Sequence, residues 1–246
     1  MNVAIILAGG TGTRIGAGIP KQFTRVLGKP ILAYTLEIYQ NNPNIDAIEI
    51  VYHKDWLTEI KTLVAEYHIT KVKWYAVGGK TFQESSMNGV FNLKGKLMPE
   101  DIVVQTFGVS PMTTDELIDD SIRVCKQYGN GIASDDIPLC TCIKDPKDNN
   151  NSSVEPIIRE TIKGFANPWT FKYGELCEAY ETGLERGLLD TLEPHTTSLY
   201  LALGKRLHFS KGNNMICKIT YKQDLDIFLG WLLASKYHAG KLEIKE

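Results

Sequence analysis

An α/β fold with a doubly wound, mostly parallel sheet is the architecture this sequence predicts, and three observations carry the prediction. Short apolar segments of strand length alternate with helical patterns from the N-terminus through Ser134. The first of them, Val3 to Leu7, runs directly into a glycine-rich loop, Ala8-Gly9-Gly10-Thr11-Gly12-Thr13-Arg14-Ile15-Gly16. At 246 residues the chain can bury one full core, so a single domain is expected over 1–237, with a polar tail at 238–246.

The elements follow in order. Val3–Leu7 reads as a buried strand. Ile31–Tyr39 has helical spacing, with Ala33, Leu36 and Tyr39 among its apolar positions. Ala47–Tyr52 is a strand and Lys54–Tyr67 a helix; Val72–Val77 is a strand and Ser85–Leu93 a helix. Ile102–Gln105 is a strand. Thr114–Tyr128 is a helix whose first turn carries Asp115 and Glu116, where negative charge suits the helix dipole. Gly131–Ser134 is strand-like. Strands separated by helices pair in parallel through crossovers of standard hand, and ligands of such sheets bind beyond the carboxyl ends of the strands. The loops after residues 7, 77 and 105 are therefore expected around one cleft.

Residues 136–162 break the rhythm. Ile137–Lys144 and Val154–Ile162 have β character, and the tip between them, Asp145 to Ser153, is rich in turn formers. A two-stranded hairpin is marginal alone. Pro138, Leu139, Ile143, Val154, Ile157 and Ile158 give it an apolar face, which suggests a projecting β-hairpin arm; a loosely held surface insertion is the alternative.

The glycine loop points to anion binding. Glycine admits close backbone approach, and successive N–H groups form an anion-binding concavity. Arg14 can fork two phosphate oxygens, and Lys21 in Pro20-Lys21-Gln22 supplies a mobile charge. The dinucleotide fingerprint fails because position 15 is Ile15, with Gly16 one residue late, and the P-loop fails because no Gly-Lys-Ser/Thr follows. The expectation is a polyphosphate site at the end of the first strand.

Bulk properties exclude other classes. A formal net charge of −2 argues against a nucleic-acid surface. The five cysteines, Cys125, Cys140, Cys142, Cys177 and Cys217, are odd in number and lack zinc-site spacing, as expected of reduced thiols in a cytoplasmic protein. The N-terminal apolar run is too short for a signal peptide or a membrane span.

The run Leu7-Ala8-Gly9-Gly10-x-Gly12-x-Arg14 with Pro20-Lys21-Gln22 resembles the opening of the methylerythritol-phosphate and ribitol-phosphate cytidylyltransferases. Gly28-Lys29-Pro30-Ile31, Gly78-Gly79-Lys80 with Gln83, Ser85, Ser86 and Gly89, and Lys218-Ile219-Thr220 with Asp224 resemble later segments of that family. The resemblance implies a nucleotide-diphospho-sugar transferase type of fold and transfer of CMP from CTP to a polyol phosphate, ribitol 5-phosphate or 2-C-methyl-D-erythritol 4-phosphate, with release of pyrophosphate. It implies Arg14, Lys21 and Lys218 as catalytic cations. Leu7, Ala8, Gly9, Gly10, Thr11 and Gly12 would hold the nucleotide, and Gly79, Gln83 and Ser85 would face its base. Thr141 (or Cys142, one register away) and Arg159 would meet the acceptor, and the 136–162 arm would clasp a second subunit in a homodimer.

The chain also departs from the family. Where relatives carry a His-Asp-Ala-x-Arg-Pro run, it has Thr106-Phe107-Gly108-Val109-Ser110-Pro111, and a second acidic position falls at His195-Thr196-Thr197. Mg²⁺ is usually anchored by carboxylates, so its protein ligands cannot be assigned. Asp135 and Asp136 are candidate substitutes. Three readings stay open: a cytidylyltransferase whose metal rides on the nucleotide's phosphates, a nucleotide-binding homologue with a regulatory or structural role, and a transferase of altered substrate.

Overall fold

The computed structural model describes residues 1–10, 19–213 and 218–242. Arg14, Thr11, Gly12 and Cys217 lie outside them.

Among the described residues the central sheet has seven strands. β1 (Asn2–Ala8) is followed by a small ribbon, β2 (Arg25–Val26) with β3 (Lys29–Pro30), and by α1 (Ile31–Asn41). Next come β4 (Ala47–Tyr52), α2 (Leu57–Glu66), β5 (Val72–Val77), α3 (Phe82–Asn92), β6 (Ile102–Phe107), α4 (Asp115–Tyr128) and β7 (Asn130–Asp136). β8 (Thr141–Ile143) and β9 (Glu155–Ile157) form a separate ribbon. The chain continues with β10 (Lys163–Lys172), α5 (Tyr173–Glu185), α6 (Thr196–Ala202), β11 (Phe209–Lys211) and α7 (Lys222–His238).

The strand order is β11-β7-β10-β6-β1-β4-β5. β1 pairs in parallel with β4 and β6, β4 with β5, and β11 with β7; β10 is antiparallel to both its neighbours. The expected doubly wound, mostly parallel sheet is therefore present, with β10 as its one reversed strand among those described. Every residue of β4 and β6 is buried, as fits strands covered on both faces. One face packs on α1, α2 and α4 through Leu36, Ile60 and Ile118; the other packs on α3, α5, α6 and α7 through Val90, Tyr180, Leu199 and Phe228.

Boundaries shift for identifiable reasons. α3 starts at Phe82 rather than Ser85, because Thr81 is its N-cap and accepts from the Glu84 N–H at 3.0 Å. The expected helix at Lys54–Tyr67 opens as a 3₁₀ turn, Lys54–Trp56, before α2. β6 extends to Phe107, opposite Leu7 of β1. The hairpin arm pairs over only three residues a side, Thr141 opposite Ile157 and Ile143 opposite Glu155. Its tip is closed by Asp145 and Ser152, with Asn149 and Asn150 at positive φ.

Candidate active site

The carboxyl ends of β1, β4, β5 and β6 surround a cleft of about 430 Å³. Leu7, Ala8, Gly9 and Gly10 form one wall, Gly79, Lys80, Thr81, Phe82 and Ser85 a second, and Phe107, Val109 and Lys218 a third. The three loops expected around one cleft thus meet there.

Each wall is built locally. Pro20-Lys21-Gln22 leads back across the end of β1: buried Gln22 donates from Nε2 to the Ala8 carbonyl at 3.0 Å. The neighbouring Lys21 Nζ donates to the Ile219 carbonyl at 3.0 Å. Ile219 N–H donates to Val109 O at 2.9 Å, docking the C-terminal lysine segment on the loop after β6. Asp224 holds that segment from below, its Oδ2 accepting from the Thr220 and Tyr221 N–H groups at 2.7 and 2.8 Å.

Ser85 is buried and lies in the first turn of α3. Its Oγ donates to Thr81 O at 2.9 Å and accepts from Gly79 N–H at 2.9 Å. This ties the Gly78-Gly79 turn to the helix. A Cβ at Gly79 would lie 2.2 Å from Glu84 Cγ, so no larger residue fits there without displacing that side chain. At the opposite wall, a Cβ on Gly108 would meet Ala8 and Leu32 at 3.0 Å.

Three placements differ from expectation. Gln83 does not line the cleft. Its side chain is fully buried, and neither amide atom has a hydrogen-bond partner among the described residues. The reason is helical phase: with the helix starting at Phe82, position 83 turns inward while Phe82 and Ser85 take the cleft side. Thr141 and Arg159 also line neither this cleft nor the adjoining cavity described next. Thr141 sits on the separate β8–β9 ribbon. Arg159 opens a 3₁₀ turn rather than a strand, donating to Pro138 O at 3.2 Å and pairing with Glu160 at 3.4 Å.

A second cavity of about 440 Å³ adjoins the cleft. Asp135, Asp136, Asn167, Trp169 and His195 line it, together with Phe107 and Lys218, the two residues it shares with the first. Asn167 Oδ1 and Trp169 Nε1 are buried without a hydrogen-bond partner among the described residues. Burial lowers the pKa of His195, Glu193 opposes this, and the Lys218 charge lowers it further. Burial raises that of Asp135, with Lys163 opposing and Asp136 adding to the rise. Asp136 pairs with Lys163 at 2.7 Å. Sequence reasoning missed this cavity because β10, which supplies Asn167 and Trp169, lies beyond the last recognisable repeat of strand and helix.

Charge in the cleft is one-sided. Lys21, Lys80 and Lys218 line it, and no carboxylate does among the described residues. No described cluster of three or more His, Cys, Asp or Glu side chains is disposed to hold a metal. The described residues therefore do not fit a Mg²⁺ ion anchored by protein carboxylates; Asp135 and Asp136 border the second cavity, not the first. Cations in this arrangement suit a polyanion held by lysines and backbone N–H groups.

The family described as 2-C-methyl-D-erythritol 4-phosphate cytidylyltransferase matches residues 2–229. Among curated proteins, the chain is 34% identical over 232 residues to a ribitol-5-phosphate cytidylyltransferase of Lacticaseibacillus paracasei, covering 94% of this chain and 98% of that one. It is 39% identical to a protein of that name from Vibrio parahaemolyticus, covering 93% and 94%. A 2-C-methyl-D-erythritol 4-phosphate cytidylyltransferase of Clostridium novyi is 32% identical, covering 91% and 93%. The crystal structure of 4-diphosphocytidyl-2C-methyl-D-erythritol synthase from Anaerococcus prevotii superposes with a TM-score of 0.78 at 22% identity, covering 94% and 96%, a likeness of fold. No described helix is long and apolar enough to cross a membrane.

Proposed function

The chain belongs to the 2-C-methyl-D-erythritol 4-phosphate cytidylyltransferase family, and from that premise we propose that it transfers CMP from CTP to ribitol 5-phosphate. An oxygen of the acceptor phosphate attacks the α-phosphorus, the α–β bridging P–O bond breaks, and pyrophosphate leaves. Such a displacement needs in-line positioning and charge stabilisation rather than a covalent enzyme nucleophile. The observation that carries the reading is the joining of two cavities at Lys218: a lysine-lined cleft at the strand ends and a second cavity lined by Asn167, Trp169 and His195.

The nucleotide occupies the first cleft, with its phosphates on Lys21, Arg14 and the glycine-loop N–H groups. The Gly79–Ser85 turn borders the base. The acceptor occupies the second cavity, its hydroxyls toward Asn167, Trp169 and His195 and its phosphate toward Lys218. A divalent cation, where used, enters on the triphosphate as part of the substrate. Ribitol 5-phosphate is preferred over 2-C-methyl-D-erythritol 4-phosphate because the two relatives above with the higher identities carry the ribitol name.

The reading includes a homodimer. Leu139, Val154 and Ile158 of the arm are exposed, and a second copy would cover them. It also includes a cytoplasmic location, where CTP is made. Pyrophosphate release with CTP and each acceptor tests the chemistry. Release with ribitol 5-phosphate supports the proposal, release with 2-C-methyl-D-erythritol 4-phosphate alone reassigns the acceptor, and CTP binding without release from either leaves a non-catalytic binder. Sedimentation of the wild type and of V154D tests the dimer.

A further inference from the structure

The aromatic residues at the junction of the two cavities carry an inference about how Lys218 is held. Lys218 Nζ lies 3.7 Å from the centroid of the Phe107 ring. That ring is fixed on its other sides, with Phe82 at 5.1 Å and Trp169 at 5.8 Å; His195 contacts Phe82 at 5.4 Å and Trp169 at 5.7 Å. Phe107 itself ends β6 in register with Leu7, and Gly108 N–H donates to Leu7 O at 2.9 Å, so the ring's backbone is locked to the first strand. Its aromatic face is therefore a rigid platform.

We propose that Phe107 is a positioning residue that holds the Lys218 ammonium by a cation–π contact at the boundary between nucleotide and acceptor. A carboxylate in this place would pair with the ammonium and cancel much of its field. A ring attracts the cation through its quadrupole and leaves the net charge intact. Lys218 can then face the α-phosphate on one side and the acceptor phosphate on the other, as a cation preorganised where negative charge develops. The inference rests on the proposed nucleotide site and adds to it the means by which its shared lysine is placed.

Fluorinated phenylalanines at position 107 test this directly, because successive fluorines weaken the ring's quadrupole at nearly constant shape. Affinity for CTP, measured by calorimetry, and kcat are both followed across the series. The expected result is a stepwise loss with each fluorine, reaching about tenfold for the most fluorinated ring, with an unchanged melting temperature. In a K218M background the same series is expected to be flat. F107L, combined with K218M in a double-mutant cycle on CTP affinity, provides the second measurement and is expected to be non-additive. A flat fluorine series in a wild-type background that binds CTP, or additive F107L and K218M effects, would overturn this inference alone. Failure of the wild type to bind CTP would overturn the parent reading and this one with it.

Discussion

Lys21 and Ile219, 198 positions apart in sequence, are joined by a 3.0 Å hydrogen bond from Nζ to the carbonyl oxygen. This bond closes the cleft: it brings the cation that follows the glycine loop against the segment that carries Lys218. K21M removes both the charge and the bridge. Charge-assisted hydrogen bonds are worth about 1.5–3 kcal/mol, so CTP affinity by calorimetry is expected to fall roughly 10- to 100-fold.

Ser85 supports the opposite wall. S85A leaves the Gly79 N–H without its 2.9 Å acceptor. The expected cost is about 1 kcal/mol of stability, read as a lower denaturant midpoint. CTP binding is expected to weaken in parallel, because the loop proposed to border the base is no longer tied to α3.

Gln83 gives the opposite expectation. Its amide is buried without partners among the described residues, and a buried polar group without hydrogen bonds opposes folding. Q83L is expected to raise stability by about 1–2 kcal/mol and to leave CTP affinity unchanged. A loss of affinity in Q83L would return this residue to the base-reading role the sequence suggested for it.

Glu49 sets a pH dependence of stability. It is fully buried in β4, its Oε1 accepting from Asn92 Nδ2 at 2.6 Å. Burial raises its pKa from 4.5 to about 8, with the Asn92 hydrogen bond and Lys96 opposing the rise. Between those two values the folded protein holds the proton and the unfolded chain releases it. Stability from this group is therefore complete below pH 4.5 and is lost as pH rises to about 8. The slope is at most about 1.4 kcal/mol per pH unit. Urea unfolding across this range is expected to show the decline in the wild type and a flatter profile in E49Q.

The parallel half of the fold was legible because β1, β4, β5 and β6 are short, apolar and separated by helices of clear period. That Ala8, Gly9, Gly10, Lys21, Ser85 and Lys218 come to line one cleft is legible because each belongs to a motif local to one strand end or one short run. The rest depended on distant partners. Gln105 reads as a polar residue ending a strand. In the fold it donates to Ser86 Oγ at 2.7 Å and accepts from Thr196 Oγ1 at 2.8 Å, inside a buried network that includes Tyr180. That network seats α5 and α6 against the sheet, and no single segment encodes it. Gln83 was misplaced for a related reason: a three-residue shift of the helix start, set by the Thr81 cap, changes which side chains face the cleft. Arg159 and Thr141 are tied to the acceptor through resemblance alone; in the fold one opens a 3₁₀ turn, the other sits on the β8–β9 ribbon, and neither lines the two cavities.

The most direct test of the central claim is calorimetric titration of CTP, UTP, ATP and GTP into the wild-type protein, with K21M as the control. CTP is expected to bind in preference to the other three, and K21M to weaken that binding at least tenfold. No binding of any nucleoside triphosphate, or equal binding by wild type and K21M, would contradict the claim.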